Sequence, residues 1–86
     1  MEYEWDDHKA ACNRRNHGVD FTSIIDFDWE AAMVIEDQRK DYGERRFIAY
    51  GPIGNRLHCV VFTLRDDVIR IISLRKANCR EVARYG

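Results

Sequence analysis

The sequence has one proline, five glycines and three cysteines, and each scarcity closes off a class of protein. A single proline beside so many hydrophobic and charged residues is the composition of a folded chain rather than a disordered one. Cys12, Cys59 and Cys79 are odd in number, far apart and without a C-x-x-C pair, which leaves neither a disulfide framework nor a zinc or redox motif. They read as reduced thiols, and Cys59, inside the apolar run from Leu57 to Leu64, reads as a packing residue. His8, His17 and His58 show no H-E-x-x-H spacing, so no metal and no cofactor is expected. No apolar run approaches the roughly 20 residues that cross a bilayer, and Met1-Glu2-Tyr3-Glu4-Trp5-Asp6 is acidic where a signal peptide would be basic. The chain therefore reads as cytoplasmic. Gly51-Pro52-Ile53-Gly54 is too short, and wrongly placed, for a phosphate-cradling loop.

What remains is an 86-residue chain, 45% hydrophobic and 34% charged, which reads as one folded domain over residues 1–86. A domain of this size buries only about 60% of its unfolded surface, so a binding partner would add needed stability. The formal net charge of −1 hides a division. Residues 1–44 carry 5 Lys and Arg against 12 Asp and Glu, whereas residues 45–86 carry 9 against 3. A basic half built on strands can offer arginines to phosphates, while the acidic half suits a basic partner. The alternative is mutual neutralisation within one fold.

Tyr3-Glu4-Trp5 reads as a short edge strand, followed by a helix capped by Asp6 or Asp7 and ended by Gly18 just after Asn16 and His17. A second helix is expected from Asp20 to about Trp29, with Phe21, Ile24 and Ile25 on its apolar face. Ala31 to Ile35 reads as a strand and Glu36 to Gly43 as a loop. Arg46–Tyr50, Arg56–Leu64 and Val68–Arg75 then form a β-meander, with a five-residue turn at 51–55 and a tight one at Asp66-Asp67. A two-residue loop there pairs Arg65 with Val68 and, counted along the strands, His58 with Arg75. The face carrying Leu57, Cys59, Val61, Arg70, Ile72 and Leu74 is expected to meet the helices. Asn78 caps a last short helix in which Glu81 and Tyr85 share a side. The fold class is α+β: a small antiparallel sheet, the three-strand meander plus one or two further strands, packed with two N-terminal helices and one C-terminal helix.

Several blocks, in order and at matching spacing, carry a family resemblance. Trp5-Asp6, Asn13, His17-Gly18-Val19 and Phe21 resemble the opening of BrnT toxins, and Glu44-Arg45-Arg46-Phe47-Ile48-Ala49-Tyr50-Gly51 is similar to their middle strand. Val60-Val61-Phe62-Thr63 and the run from Ile69 to Ala77 resemble their closing hairpin, with Glu81 and Tyr85 where the family's last helix has them. Asn16 and Asp66 depart from the family's usual lysine and frequent glycine. The resemblance implies a RelE-like fold and an endoribonuclease toxin that cleaves messenger RNA. It also implies neutralisation by a ribbon-helix-helix antitoxin of the BrnA type, assembly as a dimer of toxin–antitoxin heterodimers, and contact with operator DNA only through the antitoxin.

The residues are compatible with that chemistry. RNA is cut when its own 2′-hydroxyl attacks the adjacent phosphorus, which needs a base, cationic donors and an acid for the leaving oxygen. Arg75 and Arg46 are the candidates for gripping the phosphate, because a guanidinium fork bonds phosphate oxygens in pairs. Glu81, Tyr85 and His17 are the candidates for proton transfer, and Lys9, Arg39, Arg70, Lys76 and Arg80 for contacting RNA. Each also has a structural reading: His17 as a helix-end cation, Glu81 in an ion pair with Arg75 or Arg84, Tyr85 as packing, Arg70 in an ion pair among apolar neighbours. Trp5, Trp29 and Tyr50 can stack on bases or fill the core. A second functional class stays open, a non-catalytic binding protein acting through a DNA-binding partner.

Overall fold

A computed structural model describes residues 1–86. The elements run β1 (Glu2–Glu4), α1 (Asp7–His17), two 3-10 helices (Phe21–Asp26 and Trp29–Ala31), β2 (Met33–Asp37), β3 (Arg46–Ile53), β4 (Arg56–Arg65), β5 (Val68–Lys76) and α2 (Cys79–Tyr85). The strands form one five-stranded sheet in the order β1-β5-β4-β3-β2. β1 lies parallel to β5 and the other pairings are antiparallel, so the sheet is mixed rather than wholly antiparallel. Both strands expected outside the meander are present.

The Asp6 carboxylate accepts from the Lys9 amide at 3.0 Å to start α1, and Gly18 ends it in the left-handed conformation at φ 71°. This helix is polar almost throughout. It is tied to the sheet through the buried Asn13, whose amide donates to the carbonyls of Val19 (2.9 Å) and Leu74 (2.7 Å) and accepts from the Leu74 N–H (3.2 Å).

The second expected α-helix is instead a 3-10 helix, and the reason is legible in its burial. Phe21, Ile24 and Phe27 recur every third residue, the spacing at which 3-10 side chains eclipse, and all three are buried, whereas Ile25 is 78% exposed. Burying Phe21 and Ile24 stabilises the fold by about 1.5–3 kcal/mol each. With Val19, Val60, Phe62, Ile69, Ile71 and Leu74 they make the main core on the helix side of the sheet. Trp5 packs edge-on against Phe21 and Trp29 against Phe62, and Trp29 Nε1 donates to the Tyr3 hydroxyl at 2.7 Å. Both tryptophans are partly buried and pack against the main core.

The hairpins correct three further expectations. β2 begins at Met33, because Ala31 closes the second 3-10 helix. β3 continues through Gly51-Pro52-Ile53, so its turn is the two residues Gly54-Asn55. Between β4 and β5 the expected register holds from Arg65↔Val68 to Phe62↔Ile71 and then slips, so that Val61 faces Ser73, Cys59 faces Arg75 and His58 faces Lys76. Ile72 is the extra residue of a β-bulge, and beyond it each side chain of β5 points to the face opposite the one a regular ladder would give. The meander face that meets α1 and the 3-10 helices carries Val60, Phe62, Ile69 and Ile71, with Leu74 added by the bulge, and not the expected Cys59 and Val61. Those two face the other way, in a second small core with Ile48, Tyr50 and Leu57 that Tyr85 of α2 covers.

Candidate active site

The face opposite the main core carries the polar chemistry. Strand alternation and the pairing registers lay it out in rows across the sheet. One row is Met33, Tyr50, Cys59 and Arg75; the next is Ile35, Ile48, Val61 and Ser73; the third is Asp37, Arg46, Thr63, Arg70 and Glu4.

α2 lands beside the first row because Asn78 starts it with a reciprocal cap. The Asn78 side chain accepts from the Glu81 amide and the Glu81 carboxylate accepts from the Asn78 amide, each at 2.9 Å. The same carboxylate receives Arg75 in a two-bond fork, Nη1 to Oε1 at 2.7 Å and Nη2 to Oε2 at 2.8 Å. Arg75 and the Asn78 amide hold the Glu81 carboxyl down to about 2 against the effect of burial. Hydrogen bonding to Glu81 raises Arg75 above the ordinary arginine value, so the guanidinium is permanently charged.

Tyr85, one turn beyond Glu81, stacks face to face on Tyr50 with ring centroids 4.1 Å apart and planes 8° from parallel. Burial, with the nearby Cys59, Glu81 and Tyr85 groups, pushes the Tyr50 phenol up to about 12. Burial also pushes the Cys59 thiol up, which keeps it protonated and removes it as a nucleophile. Arg75, Glu81, Tyr50, Tyr85 and Cys59 thus form one cluster, half shielded from water, in the angle between β5 and α2. Next to it an open apolar cleft of about 750 Å³ runs between the β3–β4 turn and α2, with Pro52, Arg56, Leu57, Val82 and Tyr85 among its walls.

The other sequence candidates fall elsewhere. Arg46 shares the Arg75 face but sits four residues along β3 from Tyr50, about 13 Å at the rise of a strand. Its guanidinium lies 4.1 Å over the Tyr42 ring and 3.5 Å from Glu44, and its buried Nε lacks a hydrogen bond. Arg70 pairs with Glu4 at 3.3 Å, as its apolar setting suggested. Arg39 forks onto the buried Asp37, which also accepts from the Tyr42 hydroxyl at 3.0 Å; Arg39 first, then Tyr42, holds the Asp37 carboxyl well below the usual range. His17 and Lys9 belong to α1, on the opposite layer, and both are exposed. Lys76 and Arg80 are exposed without ion-pair partners, and Lys76, opposite His58, points away from Arg75. Of Arg75, Lys76 and Arg80, only Arg75 makes an ion pair with α2.

Three of the six ion pairs, Arg45–Glu36, Arg46–Glu44 and Arg70–Glu4, join the acidic half to the basic half, so the charge division is partly neutralised within the fold. Sequence reasoning missed the Tyr42–Arg46 stack and the position of Tyr50 under Tyr85. The available signal was the alternation in β3, which puts Arg46, Ile48 and Tyr50 on one face.

A mixed five-stranded sheet with helices, and a charged guanidinium on a strand end beside stacked phenols, define a small α+β domain with one concentrated polar cluster. Residues 5–81 match the family model described as ribonuclease toxin, BrnT, of type II toxin–antitoxin system. The chain belongs to that family. No curated protein matches it.

Proposed function

We propose that this toxin is an endoribonuclease that cleaves messenger RNA without a metal ion and so inhibits translation, with Arg75 as the group that grips the scissile phosphate. The supporting observation is the Arg75–Glu81 fork on the face of the Tyr50–Tyr85 stack. In the cleavage the RNA 2′-oxygen bonds to phosphorus, the bond to the 5′-oxygen breaks, and a cyclic phosphate and a 5′-hydroxyl result. The donor must neutralise charge that builds on the nonbridging oxygens. Arg75 suits that task, and Glu81 positions it: a carboxylate held near 2 is too weak a base to take the 2′-proton at neutral pH. Of the sequence candidates for proton transfer, that leaves the Tyr85 hydroxyl in the cluster, with His17 on the other layer. The cluster sets one guanidinium, able to donate N–H groups to phosphate oxygens, beside two phenols. Arg46, Arg39 and Arg70, farther along the same face, extend the path for the RNA chain.

The antitoxin in this reading is of the ribbon-helix-helix, BrnA type, assembled with the toxin as a dimer of heterodimers that touches operator DNA only through the antitoxin. RNA incubated with purified chain in the presence of a chelator tests the catalytic part. Native protein should cut, Arg75→Ala and Arg75→Lys should not, and Glu81→Ala should be impaired. Undiminished cutting by the Arg75 and Glu81 variants would defeat the site assignment, whereas a native protein that cuts no RNA would favour a toxin that acts by binding alone.

A further inference from the structure

The two edges of the sheet differ. β1 closes one edge with only three residues, a length that offers little to pair with. β2 closes the other with five, and β3 is the one element packed against it to any extent. Met33, Val34 and Ile35 are 54%, 46% and 39% exposed, so apolar side chains are bare on both faces of this strand. The charged residues of β2, Glu36 and Asp37, lie at its far end, so over Met33–Ile35 the edge has no charge, no proline and no bulge.

The charge around this edge selects its occupant. Residues 26–37 hold five carboxylates, Asp26, Asp28, Glu30, Glu36 and Asp37, and no Lys or Arg. Glu36 and Asp37 are matched by Arg45 and Arg39, but Asp26, Asp28 and Glu30 are exposed and in no ion pair. They extend the edge, since Phe27 bridges to Ile53 and the Asp28 amide donates to the Pro52 carbonyl at 3.0 Å. RNA is repelled here, and a second copy of the chain would bring the same acidic segment against its like. We infer that the β2 edge is the docking site of the antitoxin, which adds a basic, extended segment as a sixth strand, its apolar side chains covering Met33, Val34 and Ile35 and its cations facing Asp26 and Glu30. The inference rests on the antitoxin half of the proposed function and is independent of how RNA is cut.

The test is amide hydrogen exchange on the full chain, alone and bound to its cognate antitoxin. Residues 33–37 should exchange at least about tenfold more slowly in the complex. Two variants accompany it, Val34→Lys with Ile35→Lys on the strand, and Asp26→Lys with Glu30→Lys at exposed positions that leave the core untouched. Each should weaken antitoxin binding about tenfold or more, and the charge reversal should flatten its salt dependence, while RNA cleavage by the free toxin stays at the native level. Unchanged exchange in β2 with slowing over α2, or native affinity in the charge-reversed variant, overturns the proposal. So does a free toxin that sediments as a dimer broken by Val34→Lys, because the edge would then belong to a second copy. A toxin with no nuclease activity that still shows β2 protection would sink the catalytic reading and leave this one standing.

Discussion

Coupling between Arg75 and Glu81 is measurable apart from any activity, by a double-mutant cycle of Arg75→Met, Glu81→Gln and both together. Two charge-assisted bonds of 2.7 and 2.8 Å join the pair, and the carboxylate side chain is only 15% exposed. Hydrogen bonds to charged groups contribute about 1.5–3 kcal/mol; with the guanidinium partly in water, about 1–3 kcal/mol is expected for the fork as a whole. Either single change should cost that much, and the double variant much less than their total. In a chain of this length each kcal/mol corresponds to about 4–8 °C in Tm. Urea unfolding at pH 7 provides the readout, repeated down the acid range. Glu81 is held at about 2 against an ordinary 4.5, so its folded form is favoured when ionised. The stabilisation is complete above about pH 4.5, falls as the unfolded chain takes up protons below that, and is gone below about pH 2. Single-variant costs that add within about 0.3–0.5 kcal/mol at pH 7, or a coupling that persists undiminished at pH 2, would refute the reasoning.

Asn13→Ala should destabilise by about 2–4 kcal/mol in denaturant unfolding, because it strips partners from buried backbone groups of Val19 and Leu74 at the joint between α1 and β5. Gly51→Ala should cost about 1–3 kcal/mol in the same assay, since the added Cβ would sit 2.7 Å from the Phe27 ring and 2.9 Å from the Ala32 Cβ. Asp37→Asn should lower stability at pH 7 by about 1–2 kcal/mol through loss of the Arg39 fork and the Tyr42 bond. Asp37 has its pKa depressed in the folded state, so that penalty should shrink as pH falls below about 3.8, followed by the difference in urea midpoint between variant and native chain.

Local rules read from residue order account for much of the molecule. Asp6, Gly18 and Asn78 mark helix ends because capping depends on one side chain or one backbone angle and its immediate neighbours. The Asp66-Asp67 turn set the pairing of the four residue pairs nearest to it, since a tight turn dictates register only as far as the ladder stays regular. The partners of Arg75 needed the whole fold. The bulge at Ile72 lets Leu74 reach the helix-side core while Ile71 keeps its place there, a demand made by packing on both sides of the sheet and invisible to strand alternation. That slip of one residue turns Arg75 toward Cys59 and α2, where Glu81 meets it. Likewise the choice of a 3-10 over an α-helix at Phe21 followed from which side chains the sheet had room to bury, because tertiary packing outweighs the small differences between helical conformations in so short a segment.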